Sequence, residues 1–111
     1  MRKIETSFRG VSIYRNLERK DHRCSIYIGI LCSGIIPEMD DVQEFVAGVD
    51  FGGSAETFCA NLKDALVEQI PSKGLLVMVD DYGMGIVATE VTGEVRDDAD
   101  VKLEMYLMMR Q

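Results

Sequence analysis

Several sets of residues in this 111-residue chain have types and spacings suited to chemistry. His22, Cys24, Cys32 and Cys59 make a nominal Cys3His group, the donor set of a structural zinc site. Such sites draw their ligands in close pairs from loops. Here seven residues of strand-like pattern separate Cys24 from Cys32, and Cys59 sits in a helical pattern, so no metal site is expected and the thiols read as small buried apolar groups. One histidine in the charged run "RKDHR" supports neither a Cys-His pair nor a Ser-His-Asp triad, so no catalytic residue is assigned. The run "DFGGSAE", residues 50–56, joins two glycines to a helix start. Gly52, Gly53 and Ser54 are therefore candidate anion-binding residues, because free N–H groups there attract phosphate. The run lacks the Lys-Ser/Thr of a P-loop and the third glycine of a dinucleotide fingerprint, which favours a capping role.

The remaining chemistry lies in carboxylates. Asp40, Asp41, Asp80, Asp81, Glu94, Asp97, Asp98 and Asp100 fall in segments expected to be loops. "DDAD" is too short for an EF-hand calcium loop. "VDDYGMGIV", residues 79–87, reads as a hairpin turn at Asp80–Gly83, since Asp favours turn starts and Gly supplies positive φ. These acids are then surface charge. The chain carries net charge -7, unevenly distributed. Residues 1–36 hold seven basic and three acidic side chains (+4), and residues 37–111 hold five basic and sixteen acidic (-11). That field disfavours direct nucleic-acid binding and suits a basic partner.

Elements must position these groups. An alternation of Ile4, Thr6 and Phe8 shifts phase at Gly10 and resumes at Val11 and Ile13, which reads as one bulged strand. "NLERKDHR" reads as a hairpin loop and "CSIYIGIL" as its return strand. "VQEFVAGVDF" alternates Phe45, Ala47, Val49 and Phe51, predicting a third strand. Residues 54–70 predict a helix, with Ser54 as cap and a stripe of Phe58, Leu62, Ala65, Leu66 and Ile70. "LLVMV" predicts a buried strand, "GIVATEV" its antiparallel neighbour, and "VKLEMYLMM" a last strand alternating Val101 to Met109. On that strand Tyr106 and Met108 would form an outer apolar interface, with homodimerisation as the consequence.

"GSAETFCANLKDAL", Gly53 to Leu66, resembles the strand-to-helix segment of HicB-type antitoxins in its Ser, Glu, Asn, Lys, acidic, Ala, Leu order. The resemblance spans about an eighth of the chain and implies a capped amphipathic helix there. The three strand patterns that follow depart from that family, and no function is carried across.

The expected architecture is α+β: one domain, 1–111, with a mostly antiparallel sheet of five or six strands and one helix on one face, in the order βββαβββ. An odd number of cysteines without framework spacing points to a cytoplasmic protein with free thiols. No stretch is long enough to cross a bilayer, and no cofactor is expected. The functional expectation is a small non-enzymatic protein whose acidic surface engages a basic, nucleic-acid-handling protein. It would act as an inhibitor of nucleic-acid-mimic, antitoxin or phage and mobile-element anti-defence type. The alternatives are a small enzyme or anion- or nucleotide-binding domain using Gly52, Gly53 and Ser54, and a homo-oligomeric structural protein.

Overall fold

The computed structural model describes residues 4–82 and 84–111. Five strands form one antiparallel meander: β1 (Glu5–Thr6), β2 (Val11–Arg19), β3 (His22–Cys32), β4 (Ser72–Asp81) and β5 (Gly85–Gly93), paired in chain order. Helices α1 (Met39–Gly48) and α2 (Ala55–Gln69) lie between β3 and β4, and α3 (Glu94–Asp97) and α4 (Ala99–Met109) follow β5. The class is α+β with an antiparallel sheet, as the sequence predicts, but the order is βββααββαα and helices cover both faces.

Two cores result. On one face Ile26, Ile28 and Ile30 of β3 and Leu75, Val77 and Val79 of β4 pack against Met39, Val42 and Val46 of α1 and Phe58, Leu62 and Leu66 of α2. On the other, Val11, Ile13, Leu76 and Met78 meet Val95, Val101, Met105 and Met109. β4 is buried on both sides, which explains its unbroken apolar run. Burying one such Leu or Ile contributes roughly 1.5–3 kcal/mol.

Three predicted strands differ, and the expected loop at residues 16–23 is mostly strand, with β2 running to Arg19 and β3 beginning at His22. Residues 42–51 are not a third strand. Met39, Val42 and Val46 are buried at helical spacing, and Asp40 and Asp41 occupy the first turn of α1, where the helix dipole favours them. "VKLEMYLMM" is not a last strand but most of α4, capped by Asp98, whose carboxylate accepts from the N–H groups of Asp100 (3.0 Å) and Val101 (3.2 Å). The bulged first strand is instead a hairpin: Glu5 pairs with Ile13 and Thr6 with Ser12, and the chain reverses through Ser7–Gly10, with Gly10 at φ +84°. The register shifts in β2 lie further on, between Tyr14 and Leu17, where Asn16 adopts φ 58°, and between Glu18 and Arg19. Gly29 sits directly beneath α4. A Cβ there would come within 2.7 Å of Met109 Cε and 3.0 Å of Met105 Sδ, so glycine lets the helix approach the sheet.

Candidate functional site

The basic hairpin and the acidic segments handle charge differently. At the β2–β3 turn, Arg19 points inward with only 9 % of its side chain exposed. Its guanidinium donates to the carbonyls of Val46 (3.2 Å) and Val49 at the end of α1, and to both carboxylate oxygens of Asp21 at 3.0 and 3.1 Å. It also lies 5.8 Å from the ring centre of Phe51 and 5.2 Å from that of Phe58. Arg19 thus closes the end of α1, adding a second bond to the Val46 carbonyl, which already accepts from the Val49 N–H (3.4 Å), and meeting that of Val49; its hydrogen bonds hold the Asp21 carboxyl below its ordinary range. His22 stacks on Phe51 with ring centres 3.6 Å apart. A groove of about 660 Å3 beside this turn is lined by Glu18, Lys20, Asp21, Asp40, Gln43 and Glu44, residues of both signs.

The eight predicted acids fall into three places, and all but Asp98 lie in helices or strands, not in the expected loops. Asp40 and Asp41 begin α1 on one side of the sheet. Asp80 and Asp81 end β4 and are half-buried in the ladder, Asp80 pairing with Ser25 and Asp81 with Cys24. Strands β4 and β5 are antiparallel neighbours, as the predicted turn requires; Gly83 of that turn lies outside the described residues. Glu94, Asp97, Asp98 and Asp100 gather on α3 and the start of α4, on the opposite side from α1, around a depression of about 390 Å3. All four are exposed. The nearby Arg96 turns away, donating to the carbonyl of Val91 at 2.6 Å. Among the described residues none of the eight acids forms an ion pair.

Around the glycine pair, the N–H of Gly52 donates to Asp50 Oδ1 (3.2 Å) and that of Thr57 to Ser54 Oγ (3.1 Å). Ser54 therefore caps α2 as predicted. Gly52 (φ +73°) and Gly53 (φ +90°) are left-handed, and a side chain at Gly52 would collide with Thr57. The glycines turn the chain into the helix, and the Asp50 carboxylate occupies part of the donor set a phosphate would need.

The cysteines are free and scattered. Cys59 donates to the carbonyl of Val77 (3.5 Å), and burial pushes its thiol up to about 12. Burial likewise raises Cys24. Cys32 lies 3.4 Å from Ser12 Oγ. Among the described residues no three His, Cys, Asp or Glu side chains are grouped to hold a metal ion. Burial also raises Tyr14, whose hydroxyl donates to the carbonyl of Pro37 at 2.5 Å.

Tyr106 and Met108, predicted on the outer face of a last strand, lie on the flanks of α4 and pack partly against the second core. The residues of α4 that face outward are Leu103 and Leu107, 57 % and 58 % exposed, with Phe8 (95 % exposed) nearby across a shallow groove. The sequence did carry a signal for them, since apolar residues at every second position of a helix make two stripes and not one.

No protein-family model matches the chain, and no curated protein matches it. The functional reading therefore rests on the chain's own geometry. Among the described residues no helix is long and apolar enough to cross a membrane.

Proposed function

We propose that the protein is a non-enzymatic binding module that engages a basic protein through the acidic lobe of α3 and the start of α4. The observation that supports this reading is the combination of four exposed carboxylates, Glu94, Asp97, Asp98 and Asp100, with no ion-pair partner among the described residues. Elsewhere carboxylates and cations meet within the chain: Arg15 with Glu5, Arg19 with Asp21, Lys63 with Asp64. A group of unneutralised carboxylates offers a basic surface what a phosphate backbone offers it, so the fitting partner is a protein that handles nucleic acid. An inhibitor or antitoxin role, including anti-defence, follows if the lobe occupies that partner's nucleic-acid surface.

The test is capture of a basic partner from the native host, compared between the wild type and the Glu94→Lys, Asp97→Lys double variant. These two positions are chosen because Asp98 caps α4 and reversing it would also damage the fold. Capture should weaken as salt rises, since the Debye length is only about 8 Å at physiological ionic strength. It should be lost in the double variant at unchanged melting temperature. Capture indifferent to salt and to the double reversal rejects the reading.

A further inference from the structure

We propose that α4 is a self-association helix, through which two copies of this chain pair antiparallel along Asp100, Leu103, Leu107 and Arg110. The starting observation is that α4 is apolar on opposite faces. Val101, Met105 and Met109 are buried over Gly29, while Leu103 and Leu107 point away from the sheet and stay more than half exposed. A helix apolar on both faces belongs between two packed layers. Among the described residues the chain supplies only one of them. Phe8, beside the outer leucines, extends the uncovered apolar surface.

The spacing of the outer residues says what kind of layer fits. Positions 100, 103, 107 and 110 follow the three-four-three rhythm by which one helix packs along another. The charges then identify the occupant. Asp100 and Arg110 are both exposed, and neither forms an ion pair among the described residues. They stand at equal distances on either side of Met105, as do Leu103 and Leu107. In an antiparallel pair centred at that position, Leu103 of each copy meets Leu107 of the other, and Asp100 of each copy meets Arg110 of the other. A parallel pair would set Asp100 against Asp100 and Arg110 against Arg110. The pattern is complementary to itself only when reversed, which is the requirement of a two-fold interface. The antiparallel arrangement also opposes the two helix dipoles favourably.

The seam is short. An 11-residue helix extends roughly 16 Å, so the contact falls below the ~800 Å2 per partner of standard interfaces. The dimer should accordingly be weak, dissociating in the micromolar range or above. It leaves Glu94, Asp97 and Asp98 outside the seam and shares only Asp100 with the acidic lobe, so the Glu94→Lys, Asp97→Lys variant separates the two.

Sedimentation equilibrium of the full chain from about 10 μM to 1 mM tests it. The wild type should move from monomer toward dimer across that range. Leu107→Glu should weaken association at least tenfold while the circular dichroism spectrum stays native. Asp100→Arg and Arg110→Asp should each weaken it, because each sets like charges face to face, and the variant carrying both should recover it. Glu94→Lys with Asp97→Lys should leave it intact. A wild type that stays monomeric to 1 mM overturns the proposal. Association that survives Leu107→Glu, or that the charge swap does not restore, overturns it equally.

Discussion

At the tip of the β2–β3 hairpin the fold turns one charge inward, that of Arg19, whereas along α3 and the start of α4 it leaves every charge outside. Both stretches look alike as sequence: "ERKDHR" and "EVRDDAD" are short, dense in charge and mixed in sign. Their difference is partnership. Arg19 is held by two α1 carbonyls, a carboxylate and two aromatic rings, so its charge belongs to the architecture. Glu94 and Asp97 have no such partners among the described residues, and Arg96 is tied to a backbone carbonyl instead of to them. Charge density alone therefore does not mark a binding surface; what marks it is charge that the fold does not use.

The largest expected effect follows from the inward side. Arg19→Ala removes the donor to the Val49 carbonyl, leaves Val46 only its bond from the Val49 N–H, breaks the pair with Asp21 and uncovers Phe51 and Phe58, so it should cost about 2–4 kcal/mol in urea unfolding. A loss below about 0.5 kcal/mol, the level of an ordinary surface substitution, would erase the contrast between the two regions.

A second effect sharpens the contrast through pH. Tyr14, Cys24 and Cys59 lie in the core on the Arg19 side, and burial raises all three above their ordinary values. Folding thus favours their protonated forms. The stabilisation is complete below their unfolded values, near 9 for the thiols, and declines as pH rises toward the folded value of Cys59, about 12. The urea midpoint should hold between pH 7 and 8 and fall through pH 9 to 11. Cys59→Ala should flatten that fall from a lower starting stability, and an unchanged slope would remove Cys59 from the explanation.

The smallest effects belong to the outward side, where the structure separates one acid from its neighbours. Asp98→Ala removes the α4 cap and should cost about 1 kcal/mol. Glu94→Lys with Asp97→Lys should stay within about 0.5 kcal/mol of wild type. Equal losses in the two variants would mean that the acidic lobe is structural.

How much of this was legible beforehand depended on whether one pattern or two ran through a segment. In α2 the buried stripe of Phe58, Leu62 and Leu66 is single and Ser54 caps it, so helix, start and face could all be read. In α4 the inner stripe Val101, Met105, Met109 and the outer pair Leu103, Leu107 interleave to give apolar residues at every second position. That alternation reads as a strand. α1 reads as a strand for a different reason: Phe45, Ala47, Val49 and Phe51 fall at every second position, but Ala47 is exposed and Val49 and Phe51 lie beyond the helix, whose buried stripe is Met39, Val42 and Val46. Six of the eight acids were legible as surface charge, while Asp80 and Asp81 are half-buried at the end of β4. The division of the eight among three places was not legible, because it depends on which face of the sheet each helix covers. The inward turn of Arg19 was also hidden, as it requires the end of α1 to lie beside the hairpin.

Strands β3 and β4 are hydrogen-bonded neighbours from Cys24 with Asp81 to Cys32 with Ser72, yet residues 33–71 separate them. The β2–β3 and β4–β5 pairs are by contrast joined through short connections, with Arg19 paired to His22 and Asp81 to Gly85. The order of assembly follows. Two local hairpins can form within microseconds, but their union must close a long loop before Ile28 meets Val77, and pairings of that sequence separation are the slow ones. That union should accordingly set the folding rate, with the β3–β4 contact already forming at the barrier. Val77→Ala should then slow refolding in a urea chevron as well as speed unfolding. An unchanged refolding arm would place the joining of the two hairpins after the barrier.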